Sequence, residues 1–381
     1  MKYFLGFSIL LFSVFVSVGA YAQSVVLPET SAKQAYVVDF QTGTVLYNKN
    51  GEERMPTSSM SKVLTSIVVD DALRSGQISK DTKFKVSEKA WKTGGSRMFV
   101  DINTEVSVED LLRGVVIQSG NDACVVLAEG VSGSEANFVV AMNQKAEEIG
   151  MSNSHFMNSN GWPDPNHYST AEDLTKLAVY LIKNYQDEYK IYSEKDFTYN
   201  NIKQGNRNPL LYRNIGADGI KTGHTEDGGY GLMASAVAGD RRVVVVINGT
   251  ESMQARADEG AKLTEWALTS FKNVKLMEKG AVMADVPVVL SDTKTLQIVA
   301  GEGYFATVPS FAKGSGNVTV TYKSPAIAPI KEGDVLGSAS FKLPDGSLKK
   351  IPLIAKSDAP QASFFSRMAE KLMIMLVGVP E

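Results

Sequence analysis

A serine and a lysine stand one helical turn apart in Ser59-Met60-Ser61-Lys62. At that spacing both side chains share a helix face. A serine hydroxyl is a weak nucleophile and needs an adjacent base. Lysine can be that base when burial and nearby positive charge lower its pKa. Pro56-Thr57-Ser58 precedes the pair, so Ser59 is expected at the start of a helix. A helix N-terminus adds backbone N–H groups and partial positive charge where an oxyanion would form. Two further clusters follow: Ser119-Gly120-Asn121 in an expected loop between helices, and Lys221-Thr222-Gly223 on an expected strand. Singly, each reads more readily as an N-cap serine, a turn or a surface lysine than as catalytic machinery. A Ser-x-x-Lys arises about once or twice by chance in a chain of this length, and a Lys-Thr-Gly in roughly one chain of ten. Their joint order and contexts carry the signal, because the three can converge on one cleft.

Other chemistries are poorly supplied. With three His and one Cys, a structural zinc site is not expected, and no His-x-x-Glu or Glu-x-x-His pair offers a catalytic one. No Gly-x-Ser-x-Gly elbow accompanies a partner histidine. The chain has 381 residues, 39 Lys+Arg against 42 Asp+Glu, a formal charge of −3, 44% hydrophobic and 21% charged residues. That ordinary globular mixture excludes a disordered tail, a collagenous repeat and a disulfide scaffold. A nucleic-acid binder would show a basic excess or stripe. The length allows two or three domains, each able to bury its own core.

The elements that must position these residues lie behind a leader. Lys2, the apolar run Tyr3 to Val18 and the small-x-small site Ala20-Tyr21-Ala22 read as a signal peptide over residues 1–22. Its removal leaves 38 basic and 42 acidic residues, a net −4, in an exported protein. Cys124, alone in Ala123-Cys124-Val125-Val126-Leu127, reads as a buried apolar residue and not a nucleophile.

Residues 23–271 begin with a hairpin pattern, Ala35–Phe40 and Thr44–Tyr47. Helices follow: Ser59 to Leu73, apolar on several sides and so central, a start at Ser107-x-x-Asp110, and Ser134 to Ile149, stopping at Gly150. Strands return at Gly219–Gly223, Tyr230–Val237 and Arg242–Asn248, then a helix over Ala257–Phe271. This order predicts an α+β domain: one antiparallel sheet built from both chain ends and flanked by helices. Residues 272–358 carry short strand patterns between Gly, Pro and Asp turns, a small all-β domain. In residues 359–381, Phe364, Phe365, Met368, Leu372, Met375 and Leu376 share one helical face opposite Ser363, Arg367, Glu370 and Lys371. Too short to span a bilayer, this amphipathic helix either lies in a membrane interface or packs on the β domain.

The three clusters together are the set found in serine β-lactamases and penicillin-binding proteins. With Met55-Pro56-Thr57-Ser58 ahead of Ser59, Asp122-Ala123-Cys124 after Asn121, Tyr168-Ser169-Thr170-Ala171-Glu172-Asp173-Leu174 and Gly219-Ile220 through His224-Thr225, the chain resembles the low-molecular-mass penicillin-binding proteins. It is most similar to D-alanyl-D-alanine carboxypeptidases with a C-terminal β domain and an amphipathic tail. The resemblance implies a β-lactamase/DD-peptidase-like fold and the following roles. Ser59 is the nucleophile acylated by the penultimate D-alanine, Lys62 its general base, and Ser119 the relay to the leaving amine. Asn121, Lys221, Thr222, Gly223, His224 and Arg256 form the substrate-binding set. Within it Asn121 holds the substrate amide, Lys221 helps keep Lys62 neutral, and Thr222 with Arg256 holds the terminal carboxylate. Backbone N–H groups of Ser59 and His224 form the oxyanion hole, and the Lys221 strand pairs with the peptide.

Gly120 departs from the Ser-Asp-Asn version and points toward the carboxypeptidases. A class A β-lactamase also deacylates through a loop glutamate. Here Asn158 to Asp173 offers Asp164, Glu172 and Asp173, of which Glu172 reads as a first-turn helix residue and Asp173 as structural. The expected protein is a periplasmic serine D,D-carboxypeptidase on the outer face of the inner membrane. It trims peptidoglycan stem pentapeptides, is acylated by β-lactams and uses no metal or organic cofactor. The alternatives are a β-lactamase or D,D-endopeptidase of the same superfamily, or a catalytically retired wall-binding protein.

Overall fold

The computed structural model describes residues 25–312, 318–342 and 348–377. The expected leader, residues 1–22, and the end of the tail lie outside them. The chain divides into two compact units, Val26–Ser270 and a C-terminal unit from Phe271 onward.

The first unit is built on a five-stranded antiparallel sheet in the order Val45–Lys49, Gln34–Asp39, Arg241–Thr250, Gly229–Ala238, Ala217–Thr225. The N-terminal hairpin thus pairs with a strand some 200 residues later, Val37 opposite Val245. The run Val243-Val244-Val245-Val246-Ile247 is wholly buried, because both sheet faces are covered. Successive side chains point to opposite faces. Val244 and Val246 join Met233 and Ile220 in the helical core, while Ile247 and Leu232 meet Gly260 of the Met253–Ser270 helix. The expected α+β architecture is borne out, with Ala217–Thr225 left as an edge strand.

The central helix spans Lys62–Arg74 and is buried on nearly every side. Val63, Leu64, Ile67 and Val68 fill the core. Its buried polar residues are hydrogen-bonded, as burial requires: Thr65 Oγ1 donates to the Ser159 carbonyl (2.6 Å), and Ser66 Oγ lies 2.6 Å from Tyr192 OH. Ser107 caps its helix as expected, accepting from the Asp110 N–H.

Two boundaries differ from the sequence reading. Ser59 sits not in the α-helix but in a 3₁₀ turn over Ser58–Ser61. Ser58 takes φ +50°, and the Met60 N–H donates to the Thr57 carbonyl (3.1 Å), which tightens the entry. The last helix begins at Met253 and ends at Ser270, while Phe271 opens a strand opposite Pro309. An apolar aromatic suits either period, and its strand partner lies 38 residues away, beyond any local pattern.

Among the described residues, the C-terminal unit is all-β with one helix. Its six-stranded sheet runs Val318–Tyr322, Val335–Lys342, Leu348–Ala355, Thr295–Ala300, Val282–Val289, Ala326–Ile327, beside a two-stranded ribbon of Phe271–Met277 and Tyr304–Pro309. Val286, Ile298, Phe341, Ile351 and Leu353 form its core. The tail helix, Phe364–Val377, turns an acid inward: Glu370 accepts the Leu290 N–H (2.9 Å) and pairs with Lys294. Phe364, Phe365, Met368, Leu372, Met375 and Leu376 are each more than half exposed. Of that row, Met368, Leu372 and Met375 line a groove together with Val289, Leu290 and Ile327 of the β unit.

Asp70 is buried on the central helix. Burial, with Glu188 adding and Arg74 opposing, pushes its carboxyl up from 3.8 to about 8. The fold therefore favours the neutral acid, and its contribution is complete below the unfolded pKa and lost as pH rises through about 8. Asp70→Asn should unfold at a higher temperature than wild type at pH 9, by up to roughly 5 kcal/mol of stability, with the gap closing toward pH 4. A gap that does not change with pH would refute this.

Candidate active site

Three chain segments meet at one ammonium. Lys62 is buried, and its Nζ donates to Ser59 Oγ (2.9 Å), to Asn121 Oδ1 (2.7 Å) and to the Asn160 carbonyl. Its three donors thus have three acceptors. Burial lowers its pKa from 10.5 to about 8, with Arg207 pushing the same way and Asp122 opposing. At neutral pH a usable fraction is therefore the free amine, 2.9 Å from a serine hydroxyl.

Asn121 is aimed by its other end. It opens the Asn121–Ser132 helix, its Nδ2 donates to the Gly94 carbonyl (2.8 Å), and its backbone N–H donates to the Ser96 carbonyl (2.7 Å). The amide oxygen is thereby turned to Lys62. The next carboxylate, Asp122, is fully buried and accepts the N–H groups of Met98 and Phe99, both at 2.9 Å. It ties the segment carrying Gly94 and Ser96 to the start of the same helix. Ser119, buried at φ +61°, precedes it at the end of the preceding connection.

The edge strand brings the last cluster. Lys221 is buried, with one long hydrogen bond to the Thr222 carbonyl (3.4 Å). Burial, then the Lys62 and Arg207 charges, hold its ammonium well below the usual lysine range. Thr222, next on the same strand, is also buried. Gly223 lets the strand pass close to the serine turn, since a Cβ there would lie 2.9 Å from the Thr57 carbonyl oxygen. His224 is exposed and stacks on Tyr230, ring centroids 3.9 Å apart. The Arg256 guanidinium lies 5.7 Å from the centre of the same ring; its buried Nε has no hydrogen-bond partner among the described residues. Burial lowers Arg256 to about 10.

A cleft of about 590 Å³ opens on this arrangement, lined by Ser59, Asn121, His224, Arg207, Trp162 and Gly95 among others. Of the residues singled out from sequence, Ser59, Lys62 and Asn121 are in direct contact. Ser119, Lys221, Thr222 and Arg256 are buried and do not line that cleft. The loop carboxylates have local duties. Asp173 accepts the Asn153 N–H (2.8 Å) and the Ser154 hydroxyl (2.9 Å), Glu172 pairs with Lys176 in its helix's first turn, and Asp164 accepts the Asn166 N–H. Among the described residues no group of three or more His, Cys, Asp and Glu could hold a metal ion.

Sequence reasoning missed Asn160, Gly161, Trp162 and Arg207. Asn160 acts through its carbonyl, which has no residue-type signature. Arg207 sits in Gly205-Asn206-Arg207-Asn208-Pro209, a turn with no spacing to the three clusters. It reaches Ser96 Oγ (2.5 Å) only through the fold. Gly161, at φ +79°, presses on the serine turn, and a Cβ there would stand 1.9 Å from the Ser58 carbonyl oxygen. Gly161→Ala must displace either this loop or the turn carrying Ser59. It should lose at least tenfold in the rate of covalent labelling by benzylpenicillin, and unchanged labelling would contradict the tight packing.

Known proteins share this architecture. Residues 21–252 match the family described as D-alanyl-D-alanine carboxypeptidase, and residues 271–361 match the penicillin-binding protein 5 C-terminal domain. D-alanyl-D-alanine carboxypeptidase DacA of Haemophilus influenzae is 34% identical over 380 residues, covering 96% of this chain and 97% of its own length. DacC of Escherichia coli, also a D-alanyl-D-alanine carboxypeptidase, is 36% identical over 360 residues, covering 92% and 90%. The crystal structure of penicillin-binding protein 5 from Haemophilus influenzae superposes with a TM-score of 0.81 at 36% identity, over 89% of this chain and all of that one. The chain belongs to the D-alanyl-D-alanine carboxypeptidase family and is a hydrolase of that activity.

Proposed function

We propose that Ser59 is the nucleophile and Lys62 the base of this carboxypeptidase. The observation that carries the assignment is the 2.9 Å contact between Lys62 Nζ and Ser59 Oγ, made by an ammonium lowered to about 8. Ser59 Oγ bonds to the carbonyl carbon of the penultimate D-alanine as its proton passes to Lys62. The resulting oxyanion is held by the backbone N–H groups of Ser59 and His224. The C–N bond then breaks, the departing D-alanine takes a proton through Ser119, and an acyl-serine remains. Water attacks that ester as its proton passes to Lys62, the bond from the carbonyl carbon to Ser59 Oγ breaks, Lys62 returns the proton to Ser59 Oγ, and the shortened peptide leaves with a new carboxyl group.

Asn121 aligns the substrate amide, and the exposed edge of Ala217–Thr225 receives the extended peptide as an added strand. Thr222, Arg256 and Arg207 form the pocket for the terminal carboxylate. One buried and one exposed guanidinium, neither bonded to a carboxylate among the described residues, suit an anion. β-Lactams, the inhibitors of penicillin-binding proteins, acylate the same serine. A β-lactamase, a D,D-endopeptidase and a retired wall-binding protein are not favoured by the named relatives.

Intact mass after mixing with benzylpenicillin should show a one-to-one adduct mapping to Ser59, absent in Ser59→Ala. Because the base must be neutral, acylation should rise with pH through about 8 and fall toward tenfold per unit below it. A pH-independent rate or an adduct elsewhere would overturn the assignment.

The leader directs export to the periplasm, and the tail helix holds the enzyme at the outer face of the inner membrane. Among the described residues no single helix is long and apolar enough to cross a membrane. The exposed row from Phe364 to Leu376 suits an interfacial position instead. Deleting residues 361–381 should release the protein from sedimenting membranes with D-alanine release in solution unchanged. Equal sedimentation of both forms would rule the anchor out.

A further inference from the structure

Glu135 lies outside the three clusters and does not line the cleft. It opens the Glu135–Ile149 helix with its side chain mostly buried. Oε1 accepts both the backbone N–H (3.0 Å) and the hydroxyl (2.6 Å) of Ser159, and Oε2 accepts from Lys89 Nζ (2.6 Å). Ser159 is gripped from its other side by Thr65, which donates to its carbonyl (2.6 Å) from one turn beyond Lys62. The next carbonyl along, that of Asn160, is the one that accepts from Lys62 Nζ. Lys89 belongs to the Glu88–Lys92 helix, two residues before Gly94, whose carbonyl aims Asn121. One carboxylate therefore braces the loop that presents the Asn160 carbonyl to the buried ammonium and, through Lys89, the segment whose Gly94 carbonyl aims Asn121.

We infer that Glu135 is a positioning residue for the carboxypeptidase reaction, holding Ser159 so that the Asn160 carbonyl orients Lys62 toward Ser59. The inference rests on the assignment of Lys62 as base. Its physical reason is the reach of a lysine: four methylenes leave Nζ free to swing, and only fixed acceptors keep it within proton-transfer distance of Ser59 Oγ. A loosened Asn160 carbonyl also removes an acceptor from the ammonium, which favours the free amine. Burial alone would raise the Glu135 carboxyl, but Lys89 and the two Ser159 hydrogen bonds hold it below the ordinary range. It is thus a carboxylate at working pH.

The test is the pH profile of benzylpenicillin acylation, with D-alanine release from a pentapeptide, for Glu135→Ala, Glu135→Gln and Thr65→Val. Glu135→Ala should lower kcat and acylation at least tenfold, leave KM within about twofold, and move the acid limb to lower pH. Glu135→Gln keeps an oxygen for Ser159 while losing the charge facing Lys89, and should stay within about threefold of wild type. Thr65→Val, which releases the other side of Ser159 and keeps the side-chain shape, should move the limb in the same direction by less. A limb that stays in place in both Glu135→Ala and Thr65→Val overturns the inference, as does an equal loss in Glu135→Ala and Glu135→Gln. The latter would make distant charge, not the grip on Ser159, the cause. If Glu135→Ala does not fold, Thr65→Val decides alone. A wild-type adduct at Ser59 with an acid limb, beside variants that match it, would sink this inference and leave the base assignment standing. A wild type without that limb would sink both.

Discussion

A lysine ammonium held out of water is the constraint around which the catalytic unit is arranged. An unpaired buried charge is costly, and its ways out are hydrogen-bond acceptors or loss of the proton. Lys62 uses both. Ser59, Asn121 and Asn160 supply acceptors, and its pKa sits near 8. These acceptors come from a 3₁₀ turn, a helix start and a loop, so no one element can satisfy the group alone. The buried state of Lys62 therefore exists only when the central helix, the serine turn, the Asn121 helix start and the Asn160 loop are all in place.

The same logic explains the polar residues that a packed core would otherwise exclude. Asp122 takes two backbone N–H groups of the 98–99 segment, Asp173 fixes residues 153 and 154, and Ser61 Oγ lies 2.8 Å from His167 Nε2. Burial lowers His167 to about 4, so it serves this bond as a neutral ring. Each such group satisfies backbone that cannot join a regular element, as buried main chain must. The result is a wall of irregular chain beside the serine, with His224 and Thr225 of the edge strand lining the same cleft. Rigid connecting segments on a scaffold are where placement of reacting groups is decided.

The C-terminal unit follows a different rule. Its sheet closes on an apolar core, yet its tail helix turns Glu370 toward the β domain and leaves its phenylalanines and all three of its methionines in the open. The exposed apolar row and the inward carboxylate invert the usual distribution of apolar and charged side chains on a packed helix.

The α+β class, the central helix, the sheet built from both chain ends and the all-β unit were legible in the sequence, because periods of 2 and 3.6 and the turn residues are local signals. The contact of Ser59 and Asn121 with Lys62 was legible as an expectation as well, since those side-chain types stand in short motifs. The tertiary structure alone decided that the α-helix starts at Lys62, leaving Ser59 on a tighter turn, and that Phe271 begins a strand. It alone decided which carbonyl meets the lysine. Asn160 contributes a backbone oxygen, Arg207 reaches the cleft across a long chain separation, and Glu135 acts through Ser159. Such groups are selected by where the chain returns in space, and that depends on burial and pairing between segments that share no local pattern.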